Sequence, residues 1–380
     1  MKLFDVYPLL PVTPESAHGA IITDTEGNEY LDFYGGHAVI SVGHSHPHYI
    51  SKLTGQLNKI SFYSNAVPIP LQDELASKLA RISGYDQFSL FMCNSGAEAN
   101  ENALKLASFV NKRKKIIAFK GSFHGRTSAA VAATDDLKIN AQINLQHEIV
   151  FLPLNNYEAA AEGIDDDTCA VIIEGIQGVA GIIEPEIGFL KLLRKKCSEK
   201  GALLILDEVQ SGCGRTGNYF AHSKSGIIPD IITMAKGIGN GFPVGAVLIH
   251  PDIHAKHGML GTTFGGNYLA CAACIAVIDI IEQESLMDNA RMIGTFLKKK
   301  ISEIENVINV SGEGLMLGIK LNQPAGSVRN KLLVRHNIFT GSASDPNIIR
   351  ILPPLNINLN QAQQFVEALQ AVLNPVLIEA

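Results

Sequence analysis

From about residue 70 to residue 249, short apolar runs alternate with segments whose apolar residues recur at helical spacing. A short continuous apolar run indicates a strand that is buried on both faces, and helices between such runs indicate parallel crossovers. The alternation therefore predicts an α/β fold with a mostly parallel central sheet covered by helices on both faces. The predicted helices are 71–82, 98–110 and 189–199, and the predicted strands are 88–92, 116–119, 148–152, 170–174, 202–206, 230–235 and 244–249.

The pattern changes at both ends of this region. Residues 1–45 contain two strand-like runs joined by a turn, which predicts an N-terminal arm and a small hairpin. Beyond about residue 275 the pattern predicts a smaller α+β unit. Its expected elements are a long helix to about 304, a strand pair at 307–321, a helix at 327–336, a strand at 347–352 and a final helix at 360–372. We predict a large domain at 46–275 and a small domain built from 1–45 and 276–380.

The composition of the chain excludes several classes of protein. With 380 residues, of which 46% are hydrophobic and 18% charged, the chain can bury a large core. Its 31 basic and 37 acidic side chains give a net charge of −6, so the basic surface that nucleic-acid partners require is missing. No apolar run is long enough to span a membrane, and the N-terminus does not match a secretory leader. Six cysteines scattered through apolar segments predict reduced thiols in a cytoplasmic protein.

Two ionisable residues of opposite charge follow predicted buried strands. Asp207 comes directly after the run Ala202–Leu206, and Lys236 comes directly after the run Asp230–Ala235. Burying a charge without a partner is costly, so two such residues at strand ends predict one site that uses both. A lysine that forms a Schiff base and an aspartate that holds a pyridinium nitrogen are the protein's part of pyridoxal-phosphate chemistry. A structural ion pair beside an ordinary turn is the alternative at this point.

Three further segments carry residues suited to binding anionic or planar ligands. Residues 95–97 join a predicted strand to a helix, where backbone N–H groups can hold a phosphate, although a simple serine N-cap has the same sequence. Phe123 follows a predicted strand and could stack on a flat ring, and Arg126 could clamp a carboxylate. Arg350 lies within an apolar strand, where a cation needs an anionic partner such as a substrate carboxylate.

A glycine-rich segment provides the main rival interpretation. Gly212–Gly217 is a literal GxGxxG, and Asp230 follows at nearly the spacing of a dinucleotide-binding site. Such a site requires the motif to follow a strand directly and to open a helix. Here five residues separate Leu206 from Gly212, and the segment after Gly217 lacks a helical pattern. The context therefore argues against a dinucleotide site.

Two other clusters have the spacing of metal sites. His44, His46 and His48 alternate beside a proline without a nearby acid or cysteine, which favours a polar turn. Cys271 and Cys274 lie in an alanine-rich apolar stretch without a second cysteine pair, which favours packing in a core. We therefore predict no metal site.

Several short motifs occur in a fixed order along the chain. They are YLDF at 30–33 with GHSHP at 43–47, CNSGAEAN at 93–100, FHGRT at 123–127, EGIQG at 174–178, LDEVQSGCGRTG at 206–217, AKGIGNGFP at 235–243, TFGGN at 263–267 and RILPP at 350–354. In this order they resemble the fold-type I, class III aminotransferases, which use pyridoxal 5'-phosphate, and most closely the acetylornithine aminotransferase branch. The resemblance extends from about Tyr7 to past Arg350, which is nearly the whole chain.

The resemblance implies a role for each matching residue. Lys236 is the Schiff-base lysine and proton carrier, and Asp207 pairs with the pyridine nitrogen. The other implied cofactor contacts are Ser95, Gly96 and Ala97 at the phosphate, Val209 and Phe123 at the two ring faces, Gln210 at the phenolic oxygen, and Thr263, with Thr262 beside it, at the phosphate of the neighbouring subunit. The implied substrate contacts are Arg350 for the α-carboxylate of glutamate or 2-oxoglutarate, and Arg126, assisted by Tyr7, for the carboxylate at the far end of the substrate.

The implied activity is transfer of the δ-amino group of N-acetylornithine or N-succinylornithine to 2-oxoglutarate in arginine biosynthesis, by a homodimer with shared active sites. The alternatives are an ornithine or 4-aminobutyrate aminotransferase and a non-catalytic binding protein with the same fold. One position departs from the family pattern. Many relatives carry a glutamate directly after the Gln-Gly pair, where it neutralises the arginine that corresponds to Arg350, whereas this chain has Val179. The change predicts different handling of donors that bring no carboxylate to Arg350.

Overall fold

The chain forms three β-sheets in this computed structural model, which describes residues 1–374. The strands are β1 (Pro14–His18), β2 (Ile21–Asp24), β3 (Glu29–Asp32), β4 (Ser89–Cys93), β5 (Lys115–Phe119), β6 (Ile149–Leu152), β7 (Thr168–Glu174), β8 (Leu203–Asp207), β9 (Ile231–Ala235), β10 (Gly245–Ile249), β11 (Val307–Glu313), β12 (Met316–Leu321), β13 (Ile338–Phe339), β14 (Gly341–Ser342) and β15 (Ile348–Ile351). The largest sheet has seven strands in the order β4-β10-β9-β8-β7-β5-β6. Strand β10 runs antiparallel to both neighbours, whereas β9, β8, β7, β5 and β6 are parallel to one another.

Helices occupy most of the segments between the strands. They are α1 (Gly35–Ala38), α2 (Pro47–Leu57), α3 (Pro70–Ser83), α4 (Gly96–Asn111), α5 (Ser128–Ala132), α6 (Tyr157–Gly163), α7 (Ile187–Lys200), α8 (Tyr268–Gln283), α9 (Leu286–Ser302), α10 (Ala325–His336) and α11 (Leu359–Leu373). Glycines end two of the sheet-covering helices: α3 stops at Gly84 and α7 at Gly201, both with positive φ, which closes the last turn. Across residues 1–374, none of the helices combines the length and the apolar character that a membrane crossing requires.

The central sheet is covered on both faces, as the alternating sequence pattern predicts. On one face, Ile172 and Ile205 pack in a core cluster with apolar side chains of α4. Their neighbours Ile173 and Leu204 point the other way and pack in a second cluster with side chains of α7. Successive strand residues face opposite sides, so a strand buried on both faces must be apolar throughout. The prediction of a mostly parallel sheet between helical layers is confirmed.

Both ends of the chain contribute to the smaller sheets. Strands β1, β2, β3 and β13 form one sheet, in which the C-terminal strand β13 pairs with the N-terminal strand β3 in parallel. Strands β11, β12, β15 and β14 form the other, which is antiparallel. Phe33 stacks on Phe365 with ring centroids 4.4 Å apart, inside a core cluster that also contains side chains of α9, α10 and α11. The N-terminal arm and the C-terminal part therefore share one core, and the predicted domain boundaries remain predictions.

The prediction of one long helix that ends near residue 304 is wrong about the number of helices. Two helices, α8 and α9, occupy this region, and the chain turns between them at Ser285, where φ is +51°. Helix α8 is buried along almost its whole length, while α9 buries a single face. Four polar residues at 282–285 interrupt the apolar spacing between the two helices, a signal that our sequence prediction did not use.

Two histidines of the histidine cluster pair with carboxylates, and both cysteines of the Cys271/Cys274 pair are buried. His44 pairs with Asp32, and His46 pairs with Glu284. Cys271 and Cys274 belong to α8 and are buried in a core cluster, as the packing interpretation predicts.

The GxGxxG segment contains a buried arginine with a structural role. After Gly217 the chain forms a short 3₁₀ turn at Ala221–Ser225, and an α-helix, which a dinucleotide site requires, does not follow there. Arg215 is only 2% exposed. Its Nη1 donates to the carbonyls of Leu315 (3.0 Å) and Pro353 (2.7 Å), and its Nη2 donates to the carbonyl of Ile40 (3.3 Å). One side chain thus joins the segment after β8 to both ends of the chain.

We expect Arg215→Met to lower the free energy of unfolding by about 3 kcal/mol, because buried carbonyls lose charge-assisted hydrogen bonds. Urea unfolding followed by circular dichroism measures the change. Arg335→Met, which removes the same charge at an exposed position on α10, is the matched control. Equal stability of the two variants would contradict the structural role of Arg215.

Candidate active site

The functional candidates meet at one edge of the central sheet. Strands β7, β8 and β9 end there, and Glu174 lies opposite Asp207, which lies opposite Thr233 on β9. Gly245 begins β10 and pairs with both Cys93 and Ala235, so the loop after β4 and Lys236 arrive at this same edge. In open α/β sheets, ligands bind outside the carboxyl ends of the strands.

Asp207 is held rigidly at the end of β8. Its side chain is 3% exposed, and each of its oxygens accepts hydrogen bonds from the protein. Oδ2 accepts from Asn100 Nδ2 (2.7 Å) and His124 Nδ1 (2.7 Å), and Oδ1 accepts from the backbone N–H of Val209 (3.0 Å). A carboxylate can only accept, so these contacts require the proton of His124 on Nδ1. The donors satisfy the buried charge and set the direction of the carboxylate.

Two members of this network are functional positions that our sequence prediction missed. Asn100 lies on α4, and its Oδ1 accepts from the hydroxyl of Thr233 (2.6 Å), while its Nδ2 also donates to the carbonyl of His124 (2.7 Å). Asn100 and His124 both fall inside the short motifs, but they are far from Asp207 along the chain. Only the meeting of α4, β9 and the segment after β5 brings them together. The signal available was a polar residue on the otherwise apolar face of α4.

Lys236 follows β9 in a strained backbone conformation. Its φ is +50°, in the left-handed region that non-glycine residues seldom adopt. Burial lowers the pKa of its amino group, the carboxylates of Asp207 and Glu174 oppose that shift, and the Arg350 guanidinium adds to it. A lowered pKa increases the fraction of neutral amine, which is the form that attacks carbonyl carbons and accepts protons.

The loop between β4 and α4 forms a tight anion cradle. Ser95 caps the helix, and its Oγ accepts from the N–H of Glu98 (3.1 Å). A Cβ at Gly96 would lie 2.6 Å from Cγ1 of Val209, so only glycine fits between the helix start and the chain after Asp207. The first backbone N–H groups of a helix have no partner within it and attract anions. The start of α4 thus presents its first N–H groups next to Val209, and phosphate binding at residues 95–97 remains a prediction.

Glu174 is a buried carboxyl group beside Asp207. Its Oε1 accepts from the N–H of Phe123 (3.0 Å), and its Oε2 accepts from the N–H of Gly178 (3.0 Å). Burial raises the pKa of Glu174 to about 7, with His124 opposing and Asp207 adding to the shift. Through these contacts, Glu174 positions the segment that carries Phe123. The sequence prediction quoted its motif but assigned it no role.

Arg350 lies in β15 as a buried cation without a carboxylate partner. Its side chain is 4% exposed, and it makes an ion pair with no acidic side chain among residues 1–374. Its Nε donates to the carbonyl of Ser342, and its Nη1 donates to Oε1 of Gln210 (3.3 Å). Burial lowers the pKa of its guanidinium, while Tyr34 and Glu174 oppose that shift. The site can therefore receive a carboxylate, and Gln210 is oriented towards it.

Five predicted residues lie outside this buried cluster. Arg126 and Thr263 are exposed, and Tyr7 is 75% exposed in the N-terminal arm. Val179 is half-buried, and its carbonyl accepts from the N–H of Ser344 (2.8 Å). Thr262, beside Thr263, accepts from Asn94 Nδ2 (3.1 Å) within its own chain. The structure of a single chain thus brings together Lys236, Asp207, Glu174 and Arg350 but leaves Arg126, Thr263 and Tyr7 at the surface.

A left-handed turn adds two more polar residues near the site. In α1, all of residues 35–38 have φ between 55° and 67°, and a Cβ at Gly35 would lie 2.7 Å from the carbonyl oxygen of Leu352. The turn carries His37, whose ring is hydrogen-bonded to the hydroxyl of Tyr34. Burial lowers the pKa of His37, and Arg350 and Lys236 lower it further. Strained turns of this kind concentrate at functional sites, and the paired glycines before His37 were its sequence signal.

Comparisons with known proteins agree with this geometry. The family model described as aminotransferase class-III matches residues 5–373. The acetylornithine aminotransferase of Archaeoglobus fulgidus is 40% identical over 369 residues, which cover 96% of each chain. That of Methanosarcina acetivorans is 37% identical over 372 residues, which cover 97% of this chain and 93% of the relative.

Solved structures show the same fold. The acetylornithine aminotransferase of Elizabethkingia anophelis has a TM-score of 0.84 and 32% identity, and the match covers 96% of this chain and 94% of that one. The ornithine aminotransferase of Toxoplasma gondii has a TM-score of 0.90 and 27% identity, and the match covers 96% of this chain and 90% of that one. The active site of that structure contains pyridoxal phosphate at partial occupancy.

The raised pKa of Glu174 makes a testable contribution to stability. An unfolded glutamate loses its proton near pH 4, whereas the folded one holds it to about pH 7, so the wild-type protein loses stability as the pH rises between these values. Glu174→Gln cannot ionise and avoids this loss. Relative to wild type, we expect it to gain about 2–3 kcal/mol in unfolding free energy between about pH 5 and about pH 8.

Urea unfolding of the purified protein without added ligand, at both pH values, measures this gain. The exposed substitution Glu305→Gln is the control. Parallel pH profiles of Glu174→Gln and wild type would contradict the assignment, even if a lost hydrogen bond shifted the whole curve.

Proposed function

The chain belongs to the class-III aminotransferases, and from that premise we propose that it transfers the δ-amino group of an N-acylated ornithine to 2-oxoglutarate. It is a pyridoxal-phosphate enzyme, as the family and its structural neighbours are. The observation that carries the proposal is the meeting of Lys236 and Asp207, at the edge of the central sheet, with Arg350 of β15, which has no carboxylate partner among residues 1–374. This is the set of charges that an amino-group transfer between a bound ring and a carboxylate substrate needs.

The residues present fit pyridoxal 5'-phosphate. Asp207 offers a buried carboxylate to the pyridine nitrogen, and the cradle at 95–97 offers helix N–H groups to the phosphate. Val209 and Phe123 would contact the two ring faces, and Gln210 would reach the phenolic oxygen. When bound, the cofactor supplies an electron-withdrawing ring that stabilises negative charge at the substrate carbon.

The protein's own residues position charge and move protons. The carboxylate of Asp207 is held in one orientation by Asn100 and His124, so it favours a positive charge on the ring nitrogen without having to reorganise. Lys236 Nζ, whose pKa is lowered by burial, is the group that takes and returns the proton of the substrate carbon. Glu174 fixes the backbone of Phe123.

Two arginines would select the substrates. Arg350 would bind the α-carboxylate of glutamate or 2-oxoglutarate, since a guanidinium and a carboxylate form paired hydrogen bonds. Arg126, with Tyr7, would bind the carboxylate at the far end. Relatives called acetylornithine aminotransferases at 37–40% identity support an N-acylornithine donor. Ornithine aminotransferases among the structural neighbours keep ornithine as a second candidate, and acetyl and succinyl donors remain alternatives.

We propose a homodimer in which Thr263 of each chain reaches the phosphate of the other, which accounts for an exposed threonine in a family motif. Exposed Phe62, Tyr63 and Phe264 lie in the same region, and Phe62 and Phe264 have ring centroids 5.5 Å apart. Apolar surface of this kind is typical of protein interfaces. A cytoplasmic enzyme of arginine biosynthesis is the role consistent with the proposed substrates.

Adding N-acetylornithine without a keto acid is the direct test of the donor. We expect the yellow absorption band of the cofactor-loaded enzyme to disappear as the cofactor takes up the amino group. Lys236→Ala, reconstituted with the cofactor, is the control and should show no such turnover. Loss of the band with N-succinylornithine alone would identify the acyl group as succinyl. A band that only ornithine or 4-aminobutyrate removes would refute the N-acylornithine assignment.

Val179 and Gln210 give a second prediction about the donor. In this chain Arg350 contacts the neutral amide of Gln210, and Val179 replaces the family's acid. We expect Val179→Glu to raise the ratio of N-acylornithine to glutamate turnover by about tenfold, because a carboxylate would neutralise Arg350 when the donor does not. Val179→Gln, similar in size but uncharged, is the control. An unchanged ratio in Val179→Glu would contradict the idea that position 179 governs the choice between the two donors.

A further inference from the structure

A second arginine without a carboxylate partner lies near Arg350. Arg329, on α10, borders a cavity of about 100 Å³ whose apolar lining includes Leu10, Leu333 and Phe339. Thr340, between β13 and β14, contributes the polar part of the lining together with Arg329 and Asn330. Leu10 belongs to the N-terminal arm, so the cavity lies where both ends of the chain meet.

The polar atoms of this cavity are incompletely satisfied. Arg329 Nη2 donates to the carbonyl of Thr340 (2.9 Å), but the buried Nε of Arg329 and the buried Oγ1 of Thr340 have no hydrogen-bond partner among residues 1–374. Thr340 is only 5% exposed. No acidic side chain in the described chain forms an ion pair with Arg329. Leaving buried donors unpaired costs about 1–3 kcal/mol for each group, so a bound acceptor would stabilise this arrangement.

The cavity is adjacent to the Arg350 site. Thr340 precedes β14 in the chain, and the carbonyl of Ser342 in β14 accepts from Nε of Arg350. The ring of Tyr34 packs against Gly341 between them, where a Cβ would lie 2.9 Å from Cε2 of Tyr34. Burial raises the pKa of Tyr34, and the guanidinium groups of both Arg350 and Arg329 oppose that shift. Tyr34 therefore packs against the short segment that joins the Thr340 and Ser342 positions of the two sites.

We propose that Arg329 and Thr340 form a second anion site, which binds a carboxylate group carried on a short aliphatic chain. One guanidinium and one hydroxyl match the single charge and the two acceptor atoms of a carboxylate. The apolar lining from Leu10, Leu333 and Phe339 matches methylene groups. A phosphate dianion would leave one charge unbalanced in this partly buried cavity, which disfavours it.

Such a carboxylate has two possible sources. It belongs either to the acyl group of the donor, as in an N-succinyl substrate, or to a free dicarboxylate that binds beside the active site. The first source rests on the function proposed above, whereas the second does not. Binding of a carboxylate at this site is common to both sources, and a direct binding measurement tests it first.

Equilibrium dialysis of the cofactor-loaded enzyme against radiolabelled succinate tests for the site. We expect the wild-type protein to bind one more succinate per chain than Arg329→Met or Thr340→Val, because each variant removes one of the two groups that hold the carboxylate. Binding at Arg350 is retained in both variants and serves as an internal reference. Arg335→Met, which removes the same charge from an exposed position of α10, should bind as the wild type does. Equal binding by wild type and both cavity variants would overturn the proposal.

The source of the carboxylate follows from kcat/KM for N-succinylornithine and N-acetylornithine. If the donor supplies the carboxylate, Arg329→Met lowers the ratio of kcat/KM for N-succinylornithine to kcat/KM for N-acetylornithine by about tenfold or more, because only the succinyl group loses a charged partner. If the ratio is unchanged while succinate binding falls, the ligand is a free dicarboxylate. Failure of both donors to react would refute the proposed function, but the dialysis result would still decide the anion site.

Discussion

The carboxylate of Asp207 is the group on which the rest of the site depends. Its hydrogen bonds to Asn100 and His124 join helix α4 and the segment after β5 to the end of β8, and the hydroxyl of Thr233 extends the network to β9. A buried charge needs these donors, so the elements that supply them must meet at a single point. Lys236 and residues 95–97 are positioned as a consequence, because Lys236 directly follows β9 and residues 95–97 form the start of α4.

Two buried arginines and one half-buried arginine show how the fold handles positive charge. Arg215 is satisfied by backbone carbonyls and acts as a structural cross-link. Arg350 and Arg329 find carbonyl or amide oxygens but no carboxylate within the described chain. Arg215 donates three hydrogen bonds to carbonyls, whereas within residues 1–374 Arg350 donates two hydrogen bonds and Arg329 donates one. We therefore assign the two incompletely satisfied guanidinium groups to ligands. Arg350 contacts the neutral amide of Gln210, and Val179 stands where many relatives carry a glutamate.

Much of the fold and the centre of the site could be predicted from the sequence. Continuous apolar runs indicated the buried strands, and the charged residues that end them indicated Lys236 and Asp207, because both signals are local. The turn at Ser285 was missed because the prediction gave no weight to the four polar residues at 282–285, where the apolar spacing is interrupted. Asn100 and His124 were missed because a polar residue reveals its partner only when distant segments pack together. The assignments of Arg126, Thr263 and Tyr7 rest on resemblance, and the structure of one chain leaves these residues exposed.

The sequence by itself determined the fold class, the family and the identity of the charged residues, because these follow from local pattern and from short motifs. Only the tertiary structure decided how those charges are compensated. Whether Arg215, Arg350 or Arg329 is a cross-link or a ligand site depends on which acceptors surround it. These acceptors come from segments a hundred or more residues away in the chain or from a neighbouring loop. Solvation and partner geometry are properties of the packed molecule, and a linear pattern of residues does not contain them.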